Sequence, residues 1–150
     1  MKIVWLTLVS SVMCSSAMAD IYNDKKNQIR QKLIKCVNDP LNFNSASFNQ
    51  CILDGAQQFK TAADSQMQKR IQQETMPEIR QGWIKDSVIH TNAIKQCQVH
   101  ENLNFQGFTY AAQCELKRSQ DYYRYSMSNN MEYPSKWTMA NRIDALYLSF

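Results

Sequence analysis

Apolar side chains return every third or fourth position at Phe48, Cys51, Ile52, Ala56, Phe59, Ala63, Met67 and Ile71. That spacing predicts one long amphipathic helix, with Ser47 placed to cap its first turn. Weaker stripes predict three more helices. One covers residues 23–36 through Ile29, Leu33 and Cys36; another carries Ile79, Trp83, His90, Ile94 and Cys97, widened by Ile84 and Val88; a fourth covers residues 109–125 through Ala111, Cys114, Tyr122 and Tyr125. Asp39-Pro40 ends the first, because the residue before proline is driven out of the α region. Glu74-Thr75-Met76-Pro77 separates the second from the third, with proline suited to a helix's first turn. After the turn signals Asn129-Asn130 and Tyr133-Pro134, Ser135 is placed to cap a short last helix bearing Met139, Ile143, Leu146, Tyr147 and Phe150.

Composition sharpens the fold class. Three glycines and three prolines in 150 residues leave little material for a turn-rich sheet, so an all-α domain is expected. Ahead of the helical pattern, Lys2 precedes the apolar run Ile3-Val4-Trp5-Leu6-Thr7-Leu8-Val9, and small residues lead to Ala17-Met18-Ala19 before Asp20. This reads as a secretory signal peptide over residues 1–19, with residues 20–150 forming a single helical domain, periplasmic or secreted. The run is shorter than the roughly 20 apolar residues a bilayer span requires, so the mature chain is expected to have none. Cys14, preceded by the bulky Met13, fits loss with the leader better than lipidation.

The remaining four cysteines bracket two similar segments. Cys36 and Cys51 flank Leu41-Asn42-Phe43, and Cys97 and Cys114 flank Leu103-Asn104-Phe105. A duplicated unit of this kind, with helix-compatible sequence on either side, predicts two disulfide-stapled helical hairpins packed into a small bundle with a short C-terminal helix. An even cysteine count in an exported chain favours disulfides, and close Cys-x-x-Cys pairs suited to zinc are missing. Pairing Cys36 with Cys51 and Cys97 with Cys114 needs only antiparallel helix ends within reach, although sequence alone leaves three connectivities open. A closed loop of about 15 residues is worth roughly 3 kcal/mol.

Charge and candidate chemistry alter this picture little. Without Lys2 the chain has 16 basic and 13 acidic side chains, a net charge of +3, which reads as solvated surface spread along the chain rather than a nucleic-acid footprint. His90 lies one helical turn from Asp86, but no further ligand completes a metal site, and a structural or surface role is favoured for it. His100 reads as a solvated loop residue. With no glycine-rich phosphate loop, nucleophile elbow or paired zinc histidines, the sequence nominates no catalytic residue, metal or cofactor. Residues 117–125 interleave aromatic and basic side chains, and core packing is the favoured reading there, as it is for Trp83. The candidate binding residues are therefore loop residues, Asn42, Phe43, Asn104 and Phe105, since a stapled loop can serve as a rigid recognition surface. The competing and preferred reading has Leu41/Phe43 and Leu103/Phe105 tuck each loop onto its own hairpin.

The cysteine pairs, the long helix between them and the element Gln81-Gly82-Trp83-Ile84-Lys85 resemble the LprI-type lysozyme-inhibitor family of small exported bacterial proteins over residues 36–125. The resemblance implies a non-enzymatic helical protein whose partner is lysozyme or another wall hydrolase. Two alternatives fit the same features: a periplasmic immunity protein against a secreted amidase toxin, and a secreted interaction module with some other partner.

Overall fold

In the computed structural model of the protein, residues 6–42, 44–98 and 105–128 are described, with side chains from Tyr22 onward and, in the fourth helix, from Phe108. No proline or glycine occurs before Pro40, and the first helix, α1, accordingly runs unbroken over Leu6–Val37 rather than starting near residue 23. Pro40–Asn42 forms a single 3₁₀ turn. Helix α2 spans Ser45–Gln73, α3 Pro77–Cys97 and α4 Phe105–Met127. No strand occurs among the described residues. The short C-terminal helix expected from Ser135 lies outside them.

Helix boundaries follow from local chemistry. Asn44 rather than Ser47 caps α2: its side chain accepts the Ser47 amide at 2.9 Å, meeting one of the four donors a helix start leaves open. At the other end Glu74 closes the last turn, its amide donating to the Arg70 carbonyl at 2.9 Å. Its own carbonyl accepts from Arg80 Nε at 3.0 Å, and its side chain accepts the Met76 amide at 3.0 Å. Pro77 then opens α3, where its missing N–H removes no helix bond. Glu74 and Met76 thus hold a tight corner between the two helices by local bonds.

Both staples close their own hairpins. Cys36 bonds Cys51 with Cα atoms 5.7 Å apart, and Cys97 bonds Cys114 at 5.6 Å. The connections are shorter than the cysteine spacing suggests, because the first turns of α2 and α4 lie inside the bracketed segments.

Helices α2 and α4 form the central pair. Asn49 near the start of α2 donates to Thr109 near the start of α4 at 2.9 Å, and Arg70 near the end of α2 donates to the Ser128 carbonyl just past α4 at 2.6 Å. The two helices therefore run parallel, and the two stapled turns share one pole of the molecule. Small residues permit the close approach: Ala56, Ala63, Ala111 and Ala112 are all buried. At Gly55 a Cβ would meet a Leu33 methyl of α1 at 3.3 Å, a tight contact, and a Leu116 methyl of α4 at 3.6 Å, an ordinary one. Around this pair close Ile29 and Leu33 of α1, Ile52, Phe59 and Met67 of α2, Trp83 and Ile94 of α3, and Leu116, Tyr122, Tyr123 and Tyr125 of α4. Helix α3 lies against α4 through Trp83, His90, Ile94 and Cys97. Ile84 and Val88, expected to widen that stripe, remain 37% and 53% exposed because α3 uses a narrower face.

Candidate recognition site

The Cys36–Cys51 turn is fixed residue by residue. Asp39 accepts the Leu41 amide on its side chain at 2.9 Å and the Asn42 amide on its carbonyl at 2.9 Å, the local bonding that makes aspartate a turn former. Asn42, half-buried, donates its side-chain amide to the Cys36 carbonyl at 2.9 Å, with both disulfide sulfurs 3.6–3.7 Å away. Its amide thus braces the turn against the bridge. Leu41, by contrast, is 87% exposed, so it does not tuck onto the hairpin as the preferred reading of the sequence had it. Of the other candidates, Phe43 and Asn104 lie outside the described residues, and Phe105 is described only as the first backbone position of α4.

A second polar cluster lies inside, between α3 and α4. Tyr125 donates its hydroxyl to the Asp86 carboxylate, and Ser87 and Tyr122 hydroxyls share a bond at 2.9 Å. His90 lies against both tyrosines, its ring 4.9 Å from Tyr122 and 4.8 Å from Tyr125 between centroids. Its Nε2 is buried with no hydrogen-bond partner. Burial pushes the imidazole down to about 4, against the pull of Asp86 and with a small push from Arg118. The ring is therefore neutral at pH 7. Burial pushes the Tyr122 hydroxyl up to about 12, and Tyr125 is raised both by burial and by its carboxylate partner.

Asp86, Ser87 and His90 fall within little more than one turn, but the structure gives Asp86 and Ser87 tyrosine partners and covers the imidazole with tyrosine rings. The arrangement fastens α3 to α4. Beside it Trp83 is buried, with the Arg70 guanidinium 4.9 Å from its ring centre and Tyr125 at 6.1 Å. Within residues 117–125, Tyr122, Tyr123 and Tyr125 are core, as the packing reading has it. Among the described residues no group of three or more His, Cys, Asp or Glu side chains is placed to hold a metal.

Sequence reasoning missed the Tyr–Asp and Tyr–Ser bonds. Their only trace is the spacing of Tyr122 and Tyr125 by three on one helix and of Asp86 and His90 by four on the other. No protein-family model matches the chain, and no curated protein or solved structure matches it either.

Proposed function

We propose that the chain is an exported binding protein, periplasmic or secreted, that presents the Cys36–Cys51 turn to a cell-wall hydrolase, with lysozyme as the first candidate. The observation that carries this reading is Leu41, a large apolar side chain 87% exposed on a turn whose backbone is bonded at Asp39, Asn42 and the disulfide. The turn that holds it is already ordered, so little backbone entropy is lost when a partner covers it. Two disulfides form readily only in an oxidising compartment, which supports export, as does the leader-like sequence of residues 1–19. Among the described residues no helix is long and apolar enough to cross a membrane. Residues 20–150 carry 16 basic and 13 acidic side chains, a net charge that gives no long-range attraction to a basic hydrolase, so binding has to come from the apolar turn.

Inhibition of lysozyme and of a wall amidase by the purified protein tests the reading. Dose-dependent loss of lysozyme activity is expected, weakened at least tenfold by Leu41→Asp, with a melting temperature close to that of the parent because the site is exposed. Inhibition of the amidase alone moves the protein to the immunity reading. Inhibition of neither enzyme, or full potency in Leu41→Asp, removes the proposal.

A further inference from the structure

We propose that residues 135–150 of this chain lie along an outer row of α3 formed by Pro77, Ile84 and Val88, as a fifth helix running in the same direction. This is independent of the hydrolase reading. Among the described residues the exposed large apolar side chains are Leu41, Met76, Ile84 and Val88, and all but Leu41 belong to α3 or to the residue that opens it. Single apolar residues scattered over a surface are ordinary. These are not scattered. At 3.6 residues per turn Pro77, Ile84 and Val88, at i, i+7 and i+11, fall within about 40° of one another around α3 and over roughly 16 Å of its length. All three are exposed, because Trp83, His90, Ile94 and Cys97 bury a different side of the helix.

The chain itself brings an occupant to this row. Helix α4 ends at Met127, and Arg70 of α2 holds the carbonyl of the next residue, Ser128, at 2.6 Å. Helix α2 ends three residues after Arg70, at Gln73, and α3 opens at Pro77. The chain therefore leaves α4 at the pole where the row begins. Residues 129–134 can span about 20 Å when extended, enough to cross the roughly 8–10 Å between packed helices.

Beyond that link the sequence places Met139, Ile143, Leu146 and Phe150 at i, i+4, i+7 and i+11. On α3 the same four places are Pro77, Gln81, Ile84 and Val88. The two rows thus match in length and step, and alignment in the direction of α3 sets them side by side. Arg142 and Asp144 fall to either side of the 139–150 row, clear of the contact. A six-residue tether also holds the segment at an effective concentration on the order of millimolar, which a second copy competing for the row has to match in solution.

Amide hydrogen exchange of the full chain, read residue by residue, tests this. Residues 138–150 should exchange at least about tenfold more slowly than the same sequence as a free peptide, at every protein concentration. Ile84→Gln/Val88→Gln keeps helix-compatible side chains and should bring that factor near one, with residues 112–126 as slow as in the parent. Leu41→Gln, also exposed but off the row, should change nothing in residues 138–150. Free-peptide rates in the parent overturn the proposal, as does slowing that survives Ile84→Gln/Val88→Gln. Slowing that fades on dilution also overturns it, and assigns the row to a second copy. Should the double variant loosen residues 112–126, the chain stopped at Ser135 decides instead. Exchange in residues 84–91 should then rise at least about threefold while residues 52–67 stay unchanged, and equal rates in the two chains overturn the proposal.

Discussion

His90 shows how one buried side chain makes stability depend on pH. The residue is 7% exposed, its ring stacked on Tyr122 and tilted against Tyr125, with Nε2 unpartnered. The groups that face it are Asp86 on its own helix and Arg118, Tyr122 and Tyr125 on α4, and burial outweighs the Asp86 charge, leaving the ring at about 4 in the folded protein against 6.5 for a free imidazole. The unfolded chain therefore takes up the proton first. Stability from this residue is fully present above about pH 6.5, falls as pH drops toward 4 and levels off below that. At about 1.4 kcal/mol per pH unit the loss approaches roughly 3 kcal/mol. His90→Phe keeps an aromatic ring of similar size against the tyrosines and has no proton to gain. Urea unfolding from pH 7 to pH 4 should show the parent losing stability relative to this variant across that window. Parallel profiles for the two proteins would show that His90 is not buried as described.

At the scale of elements, Trp83 links three helices, since it packs on Tyr125 of α4 and carries the Arg70 guanidinium of α2, which in turn holds the Ser128 carbonyl. Trp83→Ala is expected to destabilise by about 3–5 kcal/mol and to lower the melting temperature by roughly 10 °C. An unchanged melting temperature would place the indole outside the core. The core role of this residue was legible from the third- and fourth-position spacing, as was the α2 stripe, where Ile52, Ala56, Phe59, Ala63 and Met67 are all buried. Boundaries were less legible for a local reason. Asn44, Ser45 and Ser47 can all cap a helix, and only the fold decides that Asn44 accepts the Ser47 amide. The width of the α3 stripe and the bonds from Asp86 and Ser87 to tyrosines depend on the register of α3 against α4, which neither sequence segment contains. Leu41 escaped for a similar reason: local bonds of Asp39 and Asn42, not its own hydrophobicity, decide where the turn holds it.

For the whole molecule, the duplicated cysteine segments become two hairpins packed side by side, with α2 and α4 parallel and both bridges at one pole. Near that pole α2 and α4 are joined by the Asn49–Thr109 bond, whereas Arg70, Trp83 and Ser128 tie the opposite end together. The bridges span 15 and 17 residues, for which chain-entropy reasoning gives about 3 kcal/mol each, a large share of the roughly 5–15 kcal/mol that holds a domain folded. Because each bridge closes only its own hairpin, removing one should loosen one side of the pole and leave the other. Cys36→Ala/Cys51→Ala is therefore expected to lower the unfolding free energy by about 2–4 kcal/mol. It should also speed amide exchange in residues 34–52 while residues 105–116 keep their protection. Peptide mapping of the unreduced parent should recover only the two intra-hairpin pairs. A peptide joining Cys36 to Cys114 would mean that the two-hairpin arrangement is wrong, and exchange that rises equally in both hairpins of the variant would mean that the pole opens as one unit rather than as two separately stapled hairpins.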